Sequence, residues 1–208
     1  MLYGKETKKA LDNFPISGIT MPTDFIRHLA MIKKACAGAN QQTGKLDNKR
    51  AKAIKAAATE IISGQHDGQF VLDVFQTGSG TSTNMNMNEV VSELCRSVYG
   101  ETVHPNDHVN MSQSSNDVIP SAIHISAYLG LTNNLIPSLN LLSDTLMARS
   151  TSLNSIIKTG RTHLMDALPM TLGQELGGWH KQIVNNIKRI ESSYKRLSML
   201  ALGGSAIG

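Results

Sequence analysis

The chain is poor in aromatic side chains. Phe, Tyr and Trp together make up 4% of its 208 residues, with a single Trp. Aromatics are among the residues that strands favour, so the core must be aliphatic, which suits long helices better than a β-sandwich. Cysteine is almost missing as well. Cys36 and Cys95 stand far apart, with no CxxC and no Cys/His cluster. That excludes a disulfide framework, and we expect two reduced core thiols in a cytosol-like compartment. No apolar run reaches membrane-spanning length and no signal-peptide pattern is present. The expectation is a soluble chain with no membrane partner, cytoplasmic or, in a eukaryote, in the mitochondrial matrix. Charge of one sign is never massed. The 20 basic and 16 acidic residues are scattered, for a net +4, which reads as a solvated surface and not as a nucleic-acid footprint.

What is present is helical periodicity. Hydrophobic residues, at 40%, are enough for a real core. Phe25, Leu29, Ile32 and Cys36 step by four, three and four after a Pro22-Thr23-Asp24 start signal. Ala51, Ile54, Ala58 and Ile61 make a second stripe, closed by Ser63-Gly64. Met87, Val91, Leu94 and Val98 make a third, ending at Gly100. Two longer stripes follow: Leu135, Leu139, Leu142 and Leu146, then Leu176, Trp179, Ile183, Ile187, Ile190, Tyr194 and Leu197. Such stripes imply bundle packing, within the chain or between chains. No strand is read with conviction. Pro137 lies inside a helical pattern, so a kink or a break between helices is expected there.

Three polar loops each stand beside a helix. The first, "GSGTSTNMNMNE", starts at Gly78. Gly78 and Gly80 permit close backbone approach, and Ser79, Thr81, Ser82 and Thr83 can cap a helix that begins near Asn84. GxxxxGK[ST] is absent, so this is no nucleotide loop. The second, "HPNDHVNMSQSSNDVIP", starts at His104. Ser114, Ser115, Asn116 and Asp117 precede an apolar helix with Pro120 in its opening turn, and one of them is the N-cap. His104, Asp107 and His108 match no familiar zinc spacing, and no metal is expected. The third, "KTGRTHLMDALPMTLGQE", sets Gly160, Arg161, Thr162 and His163 in a turn ahead of a long helix. Taken together, the loops offer many neutral donors and one central histidine. They have no cysteine nucleophile and no cofactor loop. That set suits a small polyanion such as a dicarboxylate, held by hydroxyls, amides and helix N-termini.

These segments resemble the three signature regions of the fumarase/aspartase superfamily, in order and at similar separation. "LYGKETKKALDNFPIS", "ISGQHDGQF" and "LALGGSAIG" extend the match over essentially the whole chain. Within the superfamily the chain looks most like class II fumarate hydratases. Aspartate ammonia-lyases typically carry Asn at the place of His104 and Gln at that of His163, and they stand as the alternative. A non-catalytic helical scaffold is the other.

The resemblance implies a mainly α fold of the L-aspartase type. A small helical N-terminal domain over 1–113 would lead into the first long helices of a central bundle over 114–208. It implies that Ser79, Gly80, Thr81, Ser114, Ser115, Asn116 and Thr162 contact substrate carboxylate, and that His163 transfers a proton at the oxygen entering or leaving as water. His104, Pro105, Asn106 and Asp107 match a second dicarboxylate site. The reaction implied is reversible trans addition of water to fumarate, giving L-malate, without cofactor or metal, in a homotetramer whose sites draw on three chains. Two departures stand out. Glu101-Thr102-Val103 precede His104 where relatives often carry a basic residue. A GSSxMPxKxN-like loop, whose serine is the carbon-side base of the family, has no counterpart in these 208 residues. The chain therefore reads as an N-terminal fragment, inactive alone and prone to self-association.

Overall fold

The computed structural model describes residues 1–204; the last four residues of the "LALGGSAIG" match lie outside them. The expected mainly helical fold is observed, in two compact units: 1–126 with the described residues from Leu200, and 127–199. The sequence reading set a boundary at 113/114, just before a helix that runs from Ser115 to Gly130; the units divide inside that helix.

The first unit holds α1 (Lys5–Asn13), α2 (Thr23–Gln42), α3 (Asn48–Ile62), α4 (Thr81–Ser97) and the first turns of α5 (Ser115–Gly130). Asp47 caps α3 by accepting from Lys49 N and Arg50 N, both at 3.0 Å. The whole stripe of α3, Ala51, Ile54, Ala58 and Ile61, is buried. Its small alanines let α2 pack close, with Leu29 and Ile32 against it in one aliphatic cluster. On α4, Met87, Val91 and Leu94 are buried, while Val98, just past the helix end, is exposed. Phe70 is the one aromatic among the described buried residues, which fits a composition so short of rings.

Polar side chains on α4 face inward too. Glu89 accepts from Gly4 N at 2.9 Å, Glu6 N at 3.0 Å, Thr7 N at 3.1 Å and Thr7 Oγ1 at 2.6 Å. One carboxylate thus caps α1, whose own N-cap, Gly4, has no side chain to do it. A Cβ on Gly4 would stand 2.8 Å from Glu89 Oε1, so the glycine makes room for its cap.

The second unit holds α6 (Ile136–Ser152), the hairpin strands β1 (Ile157–Thr162) and β2 (Met165–Thr171), α7 (Leu172–Glu191) and α8 (Tyr194–Leu197). The backbone reaches α6 from α5 through a π-helical turn at Leu131–Leu135, and Pro137 is the second residue of α6. The distortion expected of Pro137 therefore falls in the turn just before it, where its missing N–H would otherwise be needed. No strand is read with conviction in the sequence, and a turn is expected at Gly160–His163; the structure forms an antiparallel hairpin there, with its turn at His163 and Leu164. A two-stranded ribbon exposed on both faces carries no apolar alternation to betray it. Thr171 and Gln174 form a capping box at the start of α7. There α7 lies so close to the end of α6 that a Cβ on Gly173 would stand 2.5 Å from Ser150 O. The helix expected to run through Leu197 ends at Glu191, and Ser192-Ser193 separate it from α8.

Little of this unit is buried: Ile136, Ser143 and Gly173 among the described residues. Leu141 is 70% exposed and Trp179 51%. No described helix is long and apolar enough to cross a membrane.

The Glu89 cap is directly testable. Glu89→Ala strands several α1 donors at once and is expected to lower stability by about 3 kcal/mol, with Glu89→Gln in between. Urea denaturation of the three proteins measures both differences.

Candidate active site

The first loop is shaped from below. Asp73 accepts from Ser17 N at 2.6 Å, Gly18 N at 2.8 Å and Phe75 N at 2.8 Å. Burial opposes its charge, yet the N–H groups of Phe75, Ser17 and Gly18 with the Ser17 hydroxyl outweigh that and hold its carboxyl down at about 2. Gln76 follows. Its Oε1 accepts from both Thr83 N and Thr83 Oγ1 at 2.9 Å, while its Nε2 donates to Asp73 O at 2.9 Å.

This corrects the expectation that loop hydroxyls cap the helix. α4 starts at Thr81, three residues ahead of Asn84, its N-cap is Gly80, and the capping oxygen at Thr83 comes from Gln76. Ser79 and Thr81 are exposed, bonded to each other at 2.8 Å. Gly80 has φ +68°, and a Cβ there would meet Ile119 Cγ2 of α5 at 3.0 Å. Conformation and contact both demand glycine.

In the second loop, Pro105–Val109 form a π-helical turn with His104 as N-cap. His104 Nδ1 stands 3.1 Å from Asp107 N, from which it accepts, and 3.1 Å from Asp107 Oδ2. Neutral His104 can make the first bond, and protonated His104 the second. His104 N donates to His108 Nδ1 at 2.8 Å. Burial lowers the His108 pKa, and the Arg50 cation adds to the effect. Arg50 Nε donates to Thr102 O at 3.1 Å. The same guanidinium pairs with Asp47 Oδ2 at 3.0 Å, so a basic side chain from α3 lies beside the backbone just before His104. Asn106 and Asp107 are exposed and Pro105 is half-buried.

As expected, one residue of Ser114–Asp117 caps α5: Ser114. Its Oγ accepts from Asn116 N at 3.2 Å, and Asp117 Oδ1 accepts from Ser114 N at 2.9 Å in return. Asn116 is exposed and its Nδ2 donates to Ser114 Oγ at 3.1 Å. Ser115 Oγ accepts from Asn84 Nδ2 at 3.0 Å. That bond and the Gly80–Ile119 contact bring the starts of α4 and α5 together. Ser79, Gly80 and Thr81 thereby share one region of the first unit with Ser114, Ser115 and Asn116.

Thr162 and His163 belong to the second unit. Thr162 pairs with Met165 and ends β1. His163 and Leu164 alone form the hairpin turn, with φ of +51° and +62°. Both side chains are exposed. Turns of this two-residue kind favour Asn-Gly, so a His-Leu pair is held against its preference by the ladder on each side.

Sequence reasoning missed Asp73, Gln76, Asn84 and Glu89. A signal for the asparagines was present. Asn84, Asn86 and Asn88 recur every two residues, a step of about 200° on a helix, so they cannot all face one ligand. Asn86 Nδ2 in fact goes to Gln69 O at 3.2 Å, away from Ser115.

A family model described as Lyase matches residues 1–208. The chain belongs to this lyase family. It is 51% identical over 211 residues to the class II fumarate hydratase of Halobacterium salinarum, covering 99% of this chain and 45% of that one. Among solved structures it resembles a recombinant class II fumarase from Schistosoma mansoni, with TM-score 0.94 and 42% identity over 100% of this chain and 45% of that one. A fumarate lyase:delta crystallin from Brucella melitensis matches with TM-score 0.92 and 38% identity over 98% of this chain and 49% of that one. The fold is therefore that of the fumarase/aspartase superfamily. The chain spans 45% of the length of the Halobacterium relative, a little under half.

Gly80→Ala tests the joint between the two helix starts. It combines positive φ with a clash against Ile119 and is expected to cost about 2 kcal/mol. A double-mutant cycle with Ile119→Ala is expected to return about 1 kcal/mol of coupling, the steric part alone.

Proposed function

We propose that this chain supplies the carboxylate-binding face and the oxygen-side proton-transfer group of a fumarate hydratase, which adds water reversibly across fumarate to give L-malate. The observation that carries the reading is the meeting of two helix starts through Asn84 and Ser115, beside the exposed hydroxyls of Ser79 and Thr81. Helix N-termini and neutral hydroxyls favour an anion without forming an ion pair that must break on release.

In this reading Ser79, Gly80, Thr81, Ser114, Ser115, Asn116 and Thr162 receive substrate carboxylate. Loss of a proton from the neighbouring carbon moves charge onto that carboxylate, and donors already in place stabilise it as it grows. His163 handles the proton of the oxygen that becomes, or comes from, water. His104, Pro105, Asn106 and Asp107 form a second dicarboxylate site in this reading, with Arg50 bonded to the backbone just before it at Thr102 O. His104 and His163 both favour hydratase over ammonia-lyase. Assembly belongs to the same proposal. Leu141 and Trp179 lie exposed on α6 and α7, on surfaces that a homotetramer would cover.

The serine-bearing loop of the resemblance has no counterpart in these residues. Accordingly, this chain alone is expected to leave fumarate absorbance unchanged. A chimera joining it to the C-terminal portion of a curated relative is expected to consume fumarate and form L-malate. A folded chimera with no turnover would sink the proposal. In that active chimera, His163→Asn is expected to lower kcat by about a hundredfold or more with little change in KM. Equal loss in both would return His163 to a positioning role.

A further inference from the structure

Lys33 stands on α2 with none of its surface exposed. The proposed chemistry does not use it. Its Nζ donates to Asn110 Oδ1 at 2.8 Å and to Gln113 Oε1 at 3.0 Å. Both acceptors are neutral amides, a costly setting for a buried charge unless the charge serves a purpose.

An ammonium can only donate. Lys33 therefore fixes Asn110 with its oxygen inward and its Nδ2 toward Gln113 O, 3.2 Å away. The same Asn110 oxygen accepts from Asn84 Nδ2 at 3.2 Å, and that nitrogen donates again to Ser115 Oγ at 3.0 Å. In this orientation Asn84 Oδ1 is buried without a hydrogen-bond partner. Turning the amide over would set its oxygen against the Asn110 oxygen, which Lys33 holds in place. The orphaned acceptor marks a relay with one permitted direction. Ser115, having accepted from Asn84, keeps its own hydrogen for a group outside the protein.

We propose that Lys33 is a positioning residue of the carboxylate site, which through Asn110 and Asn84 makes the Ser115 hydroxyl an outward donor and sets a buried positive charge behind the two helix starts. The proposal rests on the fumarate hydratase reading and deepens it. Lys33 also steadies the segment between His104 and Ser114, where Ser112 has φ +59°.

Burial pulls the Lys33 pKa down to about 7, against the opposing influence of Cys36 on its own helix and Asp117 on α5. Those are the titratable groups acting on it among the described residues. α4 and the segment before Ser114 face the relay with the amides of Asn84, Asn110 and Gln113. Below about pH 7 Lys33 is charged, and above it the neutral amine keeps two N–H donors but gains a lone pair, so the charge is lost and the direction of the relay is no longer enforced. Anion binding must then weaken as pH rises through that value. By linkage, a bound dicarboxylate must raise the Lys33 pKa.

The test is fumarate titration of this chain, followed through the Ser115 amide and Asn84 side-chain resonances from about pH 6 to about pH 9. Wild-type affinity is expected to fall about tenfold across the range. Lys33→Met is expected to bind about tenfold more weakly at the acid end and to lose that part of the slope. Any share from His104 or His108 survives in the variant, so the difference between the two curves is decisive. If Lys33→Met does not fold, the Lys33 Nζ resonance of the wild type is titrated with and without fumarate. An upward shift supports the proposal and no shift overturns it. Binding that is flat in pH, or equal in both proteins, overturns the role of Lys33 and leaves the hydratase reading standing. No binding by wild type at any pH overturns both.

Discussion

The hydrogen bond from Asn84 to Ser115 is the joint on which the proposed carboxylate site turns. It ties the first turn of α4 to the first turn of α5 at 3.0 Å, and the absent side chain of Gly80 lets Ile119 close the gap beside it. Two helix starts held that close concentrate unpaired N–H groups and partial positive charge in one place. A leucine at 84 would bury as well but would leave Ser115 without a donor. The polar residue is there to set a distance and a direction.

α4 does this for several neighbours at once. Met87, Val91 and Leu94 anchor it in the core, while Asn84, Asn86 and Glu89 reach to α5, to Gln69 and to the start of α1. Buried polar groups are expensive unless they are bonded, so each fixes the position of what it touches more sharply than apolar contact would. The same logic explains why the capping of α4 falls to Gln76. With Gln76 at Thr83, the hydroxyls of Ser79 and Thr81 need not turn inward to serve the helix.

Much of this was legible in residue order. Stripes spaced by three and four placed α2, α3 and α4 because each buries one face in an aliphatic core. Pro137 announced the interruption ahead of α6 because a missing N–H has the same consequence in any helix. The polar loops were legible as a set, since hydroxyls and amides beside helix starts have few other uses. The hairpin was not, because Ile157–Thr162 and Met165–Thr171 have little buried face and hence no period to read. Nor were the pairings of Asp73 with Ser17, of Glu89 with Thr7, or of Arg50 with Thr102, which join residues distant in sequence. Periodicity reports which face is buried, not which polar group waits there.

The two units differ in how they hold the residues of the proposed site. In the first, a buried core positions the loops, and the polar side chains beneath them have little freedom left. In the second, the hairpin carries its strain in the open: His163 and Leu164 both have positive φ at the tip of an exposed ribbon. Both residues at the tip are exposed, and the ladder on either side enforces the turn. An exposed imidazole suits the role proposed for His163, which is to meet a substrate and not a core. Replacing Leu164 with glycine would ease the backbone, yet it would also widen the conformations open to His163 beside it. A strained pair in place of a relaxed one narrows where the imidazole can go, which would matter for the proton transfer proposed for His163 and very little for stability.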